Sequence, residues 1–364
     1  MSLLVATSLV IGLVLLIAGG ELLVRGGSGL GRALGLSPLV VGLTVVALAT
    51  SAPELAVSLD ATLSGAPGLA VGNVVGSNIT NVLLVLGLSA VVLPITVHSQ
   101  LVRFDVPFVV VLSVLALVLM LDGSVGRFDG GLLVTLLVAY VAWTVVLGRR
   151  AGNDDRPTGA TVPAPSRPLI DTVLILVGVA LLVLGARLLV SSATSIATAF
   201  GVSDLVIGLT VVAVGTSLPE LATSVIAALR GEQEMAIGNV IGSNVFNLTA
   251  VLGLTATIAP GGIPVDAAAL RFDVPVMIAV AVALLPIVFT GMAIARWEGG
   301  VFLAYYVVYV TYLLLAASDH DALPAFSRVM FGFVVPITAL TIAVLVAHEV
   351  QLRRRHRQGL PDSG

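Results

Sequence analysis

Two stretches of this sequence occur twice, and they occur in register. Gly42-Leu-Thr-Val-Val-Ala-Leu-Ala-Thr-Ser-Ala-Pro-Glu-Leu-Ala56 returns as Gly208-Leu-Thr-Val-Val-Ala-Val-Gly-Thr-Ser-Leu-Pro-Glu-Leu-Ala222, 166 residues later. Gly72-Asn-Val-Val-Gly-Ser-Asn-Ile-Thr-Asn81 returns as Gly238-Asn-Val-Ile-Gly-Ser-Asn-Val-Phe-Asn247 at the same offset of 166. A third echo, Arg103-Phe-Asp-Val-Pro107 and Arg271-Phe-Asp-Val-Pro275, is displaced by 168. Chance does not keep such register, so the chain must fold as two related halves.

What kind of halves follows from composition. Of the 364 residues 58% are hydrophobic and only 10% charged, against about 25% charged in an average soluble domain. Such a chain cannot dress a water-facing surface. A bilayer-spanning helix needs about 20 mostly apolar residues, and eleven such runs are expected, near 2–24, 37–63, 68–93, 105–121, 130–148, 169–192, 204–229, 235–259, 273–292, 299–317 and 328–350. The first run lacks a basic flank and a small-residue cleavage site, so it reads as a span and not as a signal peptide. The expected fold is an all-α polytopic membrane protein. Residues 1–148 form a first five-span repeat with motifs at 42–58 and 72–87, and 169–317 a second with motifs at 208–224 and 238–253. The polar stretch 149–168 joins them, and 318–364 adds an extra span and a basic tail.

Arginine placement sets the expected orientation, because cytoplasmic loops carry the excess of basic residues. With the central linker inside, thirteen arginines fall on the cytoplasmic side and only Arg127, Arg271 and Arg328 outside. The N-terminus is then outside and the C-terminus cytoplasmic, in the cell membrane. A repeat of five spans forces the two halves into opposite orientations, an arrangement common in secondary transporters.

The chemistry lies in the repeated segments. Each Thr-Ser-x-Pro-Glu falls within a span, where proline removes a backbone donor and frees a carbonyl about four residues earlier. Freed carbonyls at membrane depth persist only where protein, water or an ion satisfies them. Thr50, Ser51 and Glu54, with Thr216, Ser217 and Glu220, thus concentrate hard oxygens at two helix breaks, and such oxygens suit Na⁺ and Ca²⁺. One ionised carboxylate at the bilayer centre costs at least about 2.5 kcal/mol. Two facing glutamates tolerate that setting when a divalent cation, or two monovalent ones, neutralises them. The second motif adds Ser77, Asn78 and Asn81, with Ser243, Asn244 and Asn247. With no cysteine and four scattered histidines, thiolate or histidine metal sites are excluded, and nothing calls for a cofactor or a nucleic acid.

The paired motifs resemble the two alpha-repeats of the sodium/calcium exchangers, in the cation/calcium antiporter superfamily, over about the first 317 residues. The resemblance implies Ca²⁺ held by Glu54 and Glu220 with the carbonyls of Thr50 and Thr216. It implies Na⁺ sites drawing on Ala47, Thr50, Ser51, Glu54 and Ser77, and on Ala213, Thr216, Ser217, Glu220 and Ser243. Asn81 and Asn247 would line the centre, and spans one and six would slide to switch access. Some relatives, K⁺-dependent exchangers among them, resemble this chain but carry aspartate at the position of Asn247, which argues against K⁺ co-transport here.

Plainer roles stand beside these. The four motif serines also serve as helix-packing groups, and Asn78 and Asn244 as hydrogen-bonding groups between helices. Asp105 and Asp273 are expected to be N-caps opening spans four and nine, and Glu21 with Arg25 an interfacial ion pair. The functional expectation is electrogenic antiport of Na⁺ against Ca²⁺, expelling Ca²⁺ by alternating access. The alternatives are Ca²⁺/H⁺ antiport, a cation channel, and an enzyme using the two glutamates as an acid pair, for which no nucleophile, cofactor motif or soluble domain is present. Oligomeric state and stoichiometry stay open.

Overall fold

The computed structural model describes residues 3–154, 167–200, 211, 213–289, 291–318, 320–340, 343 and 347. Helices α1 (Leu3–Leu34), α2 (Pro38–Leu63), α3 (Gly68–Val92), α4 (Leu101–Met120) and α5 (Arg127–Asp154) make up the first half. The second begins with α6 (Pro168–Ala199), the short α7 (Ala213–Thr216) and α8 (Leu218–Leu229). It continues with α9 (Gln233–Ile258), α10 (Ala269–Phe289), α11 (Arg296–Ala317) and α12 (Leu323–Val329). Among the described residues, nine helices are long and apolar enough to cross a membrane. The start of the expected span 204–229, most of the linker, the end of the expected span 328–350 and the basic tail lie outside the described residues.

The expected ends of spans one and six fall short of the observed ones. Spans one and six were expected to end at 24 and 192, yet α1 and α6 continue to Leu34 and Ala199. The two cross antiparallel with backbones in contact. A methyl built on Gly19 would lie 2.7 Å from the Gly178 carbonyl, and one on Gly178 2.8 Å from that of Gly19. Small residues that let backbones approach are the usual means of holding membrane helices together.

The centre is filled by α3 and α9, the helices that carry the Gly-Asn-Val-x-Gly-Ser-Asn motifs. The most apolar stretch of α9 is entirely buried, whereas α11 buries only 11% of its own. Lipid-facing leucine and valine are ordinary in this setting, because the surrounding solvent is as apolar as they are.

Two-residue strands bind the halves together. Strand β1 (Ile95–Thr96) pairs antiparallel with β4 (Ala293–Ile294), and β2 (Ser124–Val125) with β3 (Ile263–Pro264). Each pair joins a loop of one half to a loop of the other.

The expected N-caps are a further correction. Helix α4 begins at Leu101, so Asp105 lies inside it, with φ −69° and ψ −44° and no capping bond. A widened π-type turn covers Leu101–Asp105. Pro107 would press on the carbonyl four residues earlier, at Arg103, and that residue sits in the widened turn. The same turn recurs at Ala269–Asp273. Instead of capping, Asp105 accepts the Tyr140 hydroxyl at 3.1 Å, and Asp273 accepts that of Tyr309 at 3.0 Å.

The ion pair between Glu21 and Arg25 is present, and Glu21 also receives the guanidinium of Arg230, 209 residues away, with Nε donating at 2.8 Å. That second partner ties α1 to the end of α8.

Candidate functional site

Helix α2 breaks at Ser51, whose φ −82° and ψ 0° turn the chain before Ala52. The break follows from sequence: Pro53 has no N–H to offer the Ala49 carbonyl. Ser217 makes the matching break between α7 and α8, at φ −87° and ψ 3°, and Pro219 spares the Gly215 carbonyl in the same way. Each break leaves its glutamate in the first turn of the following helix.

Both glutamates are completely buried, at 0% exposure. They are near enough for their charges to interact, and the Thr50 and Ser51 side chains are neighbours of the Glu220 carboxylate. Neither carboxylate oxygen of Glu54 or Glu220 has a hydrogen-bond partner, and the same holds for Ser51 Oγ, Ser217 Oγ, Asn81 Oδ1 and Asn247 Oδ1. These are three matching pairs of side chains, one member from each half. An unsatisfied buried acceptor costs about 1–3 kcal/mol, and a charged one more. Four carboxylate oxygens and two amide oxygens without a donor, beside two serine hydroxyls that can turn their lone pairs inward, suit a cation.

The asparagines explain how the central acceptors are held. Asn81 donates Nδ2 to Asn244 Oδ1 at 3.2 Å, and Asn247 donates to Asn78 Oδ1 at 3.4 Å. Each bond crosses from one half to the other and leaves an amide oxygen of Asn81 or Asn247 without a donor. Asn78 and Asn244 therefore bond between helices, as expected. A widened turn begins at Asn81 and again at Asn247, a distortion that recurs at functional positions in helices.

The other candidate residues are placed as follows. Thr50 gives its hydroxyl to Asn239 Oδ1 at 3.0 Å and lies 3.2 Å from Ser243 Oγ, so both side chains are engaged with protein. The Ala47 carbonyl accepts the Ser51 N–H at 2.9 Å and the Thr50 hydroxyl at 3.4 Å. Ser77 is buried beside Asn78, and Thr216 is half-buried. Ala213 opens α7, and its side chain lies outside the described residues.

Four contributors escaped the sequence reading. Asn73 donates to the Glu54 carbonyl at 3.0 Å and to Ser58 Oγ at 2.9 Å. Asn239 donates to the Glu220 carbonyl at 3.5 Å and to Ser224 Oγ at 2.9 Å. The signal was there, since both asparagines stand in the repeated motif and Ser58 and Ser224 also recur 166 apart.

Among the described residues no three His, Cys, Asp or Glu side chains cluster. A cation here would be held by two carboxylates and neutral oxygens. That set is hard and flexible, of the kind that Ca²⁺ and Na⁺ accept and that softer transition metals do not select.

The comparisons with known proteins agree with this chemistry. The family model described as sodium/calcium exchanger protein matches residues 4–146 and 170–315. Inner membrane protein YrbG of Escherichia coli is 40% identical over 288 residues, 78% of this chain and 89% of its own. Sodium/calcium exchanger MaX1 of Methanosarcina acetivorans is 35% identical over 341 residues, covering 84% and 97% of the two chains. Among solved structures, the sodium-calcium exchanger NCX_Mj, soaked with zero Na⁺ and Ca²⁺, superposes with a TM-score of 0.73 at 35% identity, over 86% of this chain and all of that one. Fold, buried acid pair and sequence likeness lead to one assignment: this chain is a membrane antiporter that belongs to the sodium/calcium exchanger family.

Proposed function

We propose that the chain exchanges Na⁺ for Ca²⁺ by alternating access, with both ions competing for one site built on Glu54 and Glu220. The observation that carries this reading is the pair of fully buried glutamates, one from each repeated break, whose four carboxylate oxygens have no hydrogen-bond partner. Two negative charges match one Ca²⁺. Two Na⁺ match them as well, a third would make each cycle carry net charge, and competition for the same oxygens is the condition for obligatory exchange.

In this reading Ca²⁺ takes the two carboxylates with the backbone carbonyls of Thr50 and Thr216. Na⁺ uses Ala47, Thr50, Ser51, Glu54 and Ser77 on one side and Ala213, Thr216, Ser217, Glu220 and Ser243 on the other. Asn81 and Asn247 line the centre. The exchange is electrogenic and driven inward by Na⁺, expelling Ca²⁺ from the cell.

The proposed architecture is two inverted five-span repeats with one additional span. Residues 1–148 and 169–317 are the repeats, the N-terminus lies outside, and the C-terminus is cytoplasmic. This topology puts both members of β1–β4 at the cytoplasmic face and both of β2–β3 at the other, in keeping with the pairing.

The test is Ca²⁺ uptake into proteoliposomes loaded with Na⁺. Uptake should follow the outward Na⁺ gradient and respond to membrane potential. A second reading, Ca²⁺/H⁺ antiport, is favoured by the same paired carboxylates, since each can take a proton in place of a metal ion. Uptake driven by a pH gradient and indifferent to Na⁺ would select it.

A further inference from the structure

A helix broken by proline has lost one of the hydrogen bonds that fix one segment against the next. The segment after the break then needs an outside anchor if its first side chains are to point reproducibly. In this chain those first side chains include Glu54 and Glu220.

The anchors are Asn73 and Asn239. Asn73 reaches from α3 and places its amide between the Glu54 carbonyl, at 3.0 Å, and Ser58 Oγ, at 2.9 Å. A helical serine ordinarily returns its hydroxyl to the carbonyl four residues back, which for Ser58 is Glu54. The asparagine occupies that position and pins the whole turn. Asn239 does the same from α9 to the Glu220 carbonyl, at 3.5 Å, and Ser224 Oγ, at 2.9 Å. Its own oxygen accepts the Thr50 hydroxyl at 3.0 Å. One side chain thus joins the turn that presents Glu220 to the last turn before the opposite half's break. Asn239, Ser58 and Ser224 are fully buried, so water does not compete for the bonds of Asn239, while Asn73 is half-buried.

We infer that Asn73 and Asn239 are positioning residues for cation binding: they fix the rotation of the two glutamate-bearing turns and thereby the aim of both carboxylates. They donate to the protein and not to the ion. A binding constellation tolerates about 0.5 Å of misplacement, and a turn free to rotate about a proline break would exceed that. This rests on the reading of Glu54 and Glu220 as the ion site, though not on which ion drives exchange.

The experiment is equilibrium binding of ⁴⁵Ca²⁺ to the purified full-length protein in Na⁺-free buffer, with thermal unfolding measured on the same samples. Wild-type protein should bind saturably and Glu220→Gln should not; binding by Glu220→Gln at wild-type affinity would overturn the site itself. Given that control, Asn73→Ala and Asn239→Ala should each weaken Ca²⁺ affinity about tenfold or more. Ser58→Ala and Ser224→Ala, which remove one of the two acceptors, should weaken it by a smaller factor with little change in melting temperature. Wild-type affinity in both asparagine variants would overturn the proposal. So would a loss seen only with a lowered melting temperature and absent from both serine variants.

Discussion

Replacing one glutamate by glutamine should separate the two transported ions, and the direction follows from counting charge. When both are ionised, Glu54 and Glu220 together carry two negative charges in a site with no exposed surface. With Ca²⁺ bound the wild-type site is neutral; in Glu220→Gln the same complex carries one uncompensated positive charge. With a single Na⁺ bound the sign of the change is opposite, from one net negative charge to none. An uncompensated charge at membrane depth costs at least about 2.5 kcal/mol, and about 1.4 kcal/mol is a factor of ten in binding. Ca²⁺ affinity should therefore fall by roughly two powers of ten or more, while binding of the first Na⁺ should change far less or improve. The glutamine keeps the shape of the side chain, so the comparison isolates charge. The assay is ⁴⁵Ca²⁺ binding with Na⁺ displacement, on wild type, Glu54→Gln and Glu220→Gln. Equal weakening of both ions, or Ca²⁺ affinity within a few-fold of wild type, would refute the charge-balance argument.

Three further outcomes are expected. Tyr140→Phe removes the hydroxyl that Asp105 accepts, at a carboxylate with 0% exposure, and should cost about 1–3 kcal/mol of stability. It should lower the melting temperature more than Tyr309→Phe does, because Asp273 is only partly buried, and both variants should keep wild-type Ca²⁺ affinity. Gly130→Ala and Gly131→Ala should differ although adjacent: a methyl on Gly130 would lie 2.5 Å from the Gly253 carbonyl, and one on Gly131 meets nothing within 4 Å. Overpacking costs about 1–3 kcal/mol and helix propensity returns up to about 1 kcal/mol, so Gly131→Ala should melt at or above wild type and Gly130→Ala below it. Glu21→Gln breaks an ion pair with Arg230 whose arginine is 45% exposed; the loss should stay below about 1 kcal/mol and shrink further in high salt, as melting at two ionic strengths would reveal.

The class of fold was legible because its cause is local. Apolar runs of span length and a motif repeated at a fixed offset need no knowledge of neighbours. The proline breaks at Ser51 and Ser217 were legible for the same reason, as proline acts on its own backbone. What escaped depends on what lies alongside. The last turns of α1 hold glycine and arginine and those of α6 serine and threonine, residues that read as a span's end, yet both helices continue. Asp105 read as a cap because a proline follows two residues later, and a widened turn, which no propensity marks, carried it into the helix instead. Asn73 and Asn239 were visible as recurring letters, yet their bonds run to helices about 15 to 20 residues away in sequence, or to the opposite half. Arg230 joins Glu21 only because α8 ends beside α1.

The two short strand pairs have a mechanical consequence. One fastens the loops at 95–96 and 293–294, the other those at 124–125 and 263–264. Stitched in two places, the bodies that carry α3 and α9 would have to break both short ladders to part like the covers of a book. Among the described residues α1 and α6 supply no strand to either seam. Their backbones meet at Gly12, Gly19, Gly178 and Gly185, so α1 and α6 form one paired unit, fastened to the frame by the bond from Arg230 at the end of α8 to Glu21 of α1.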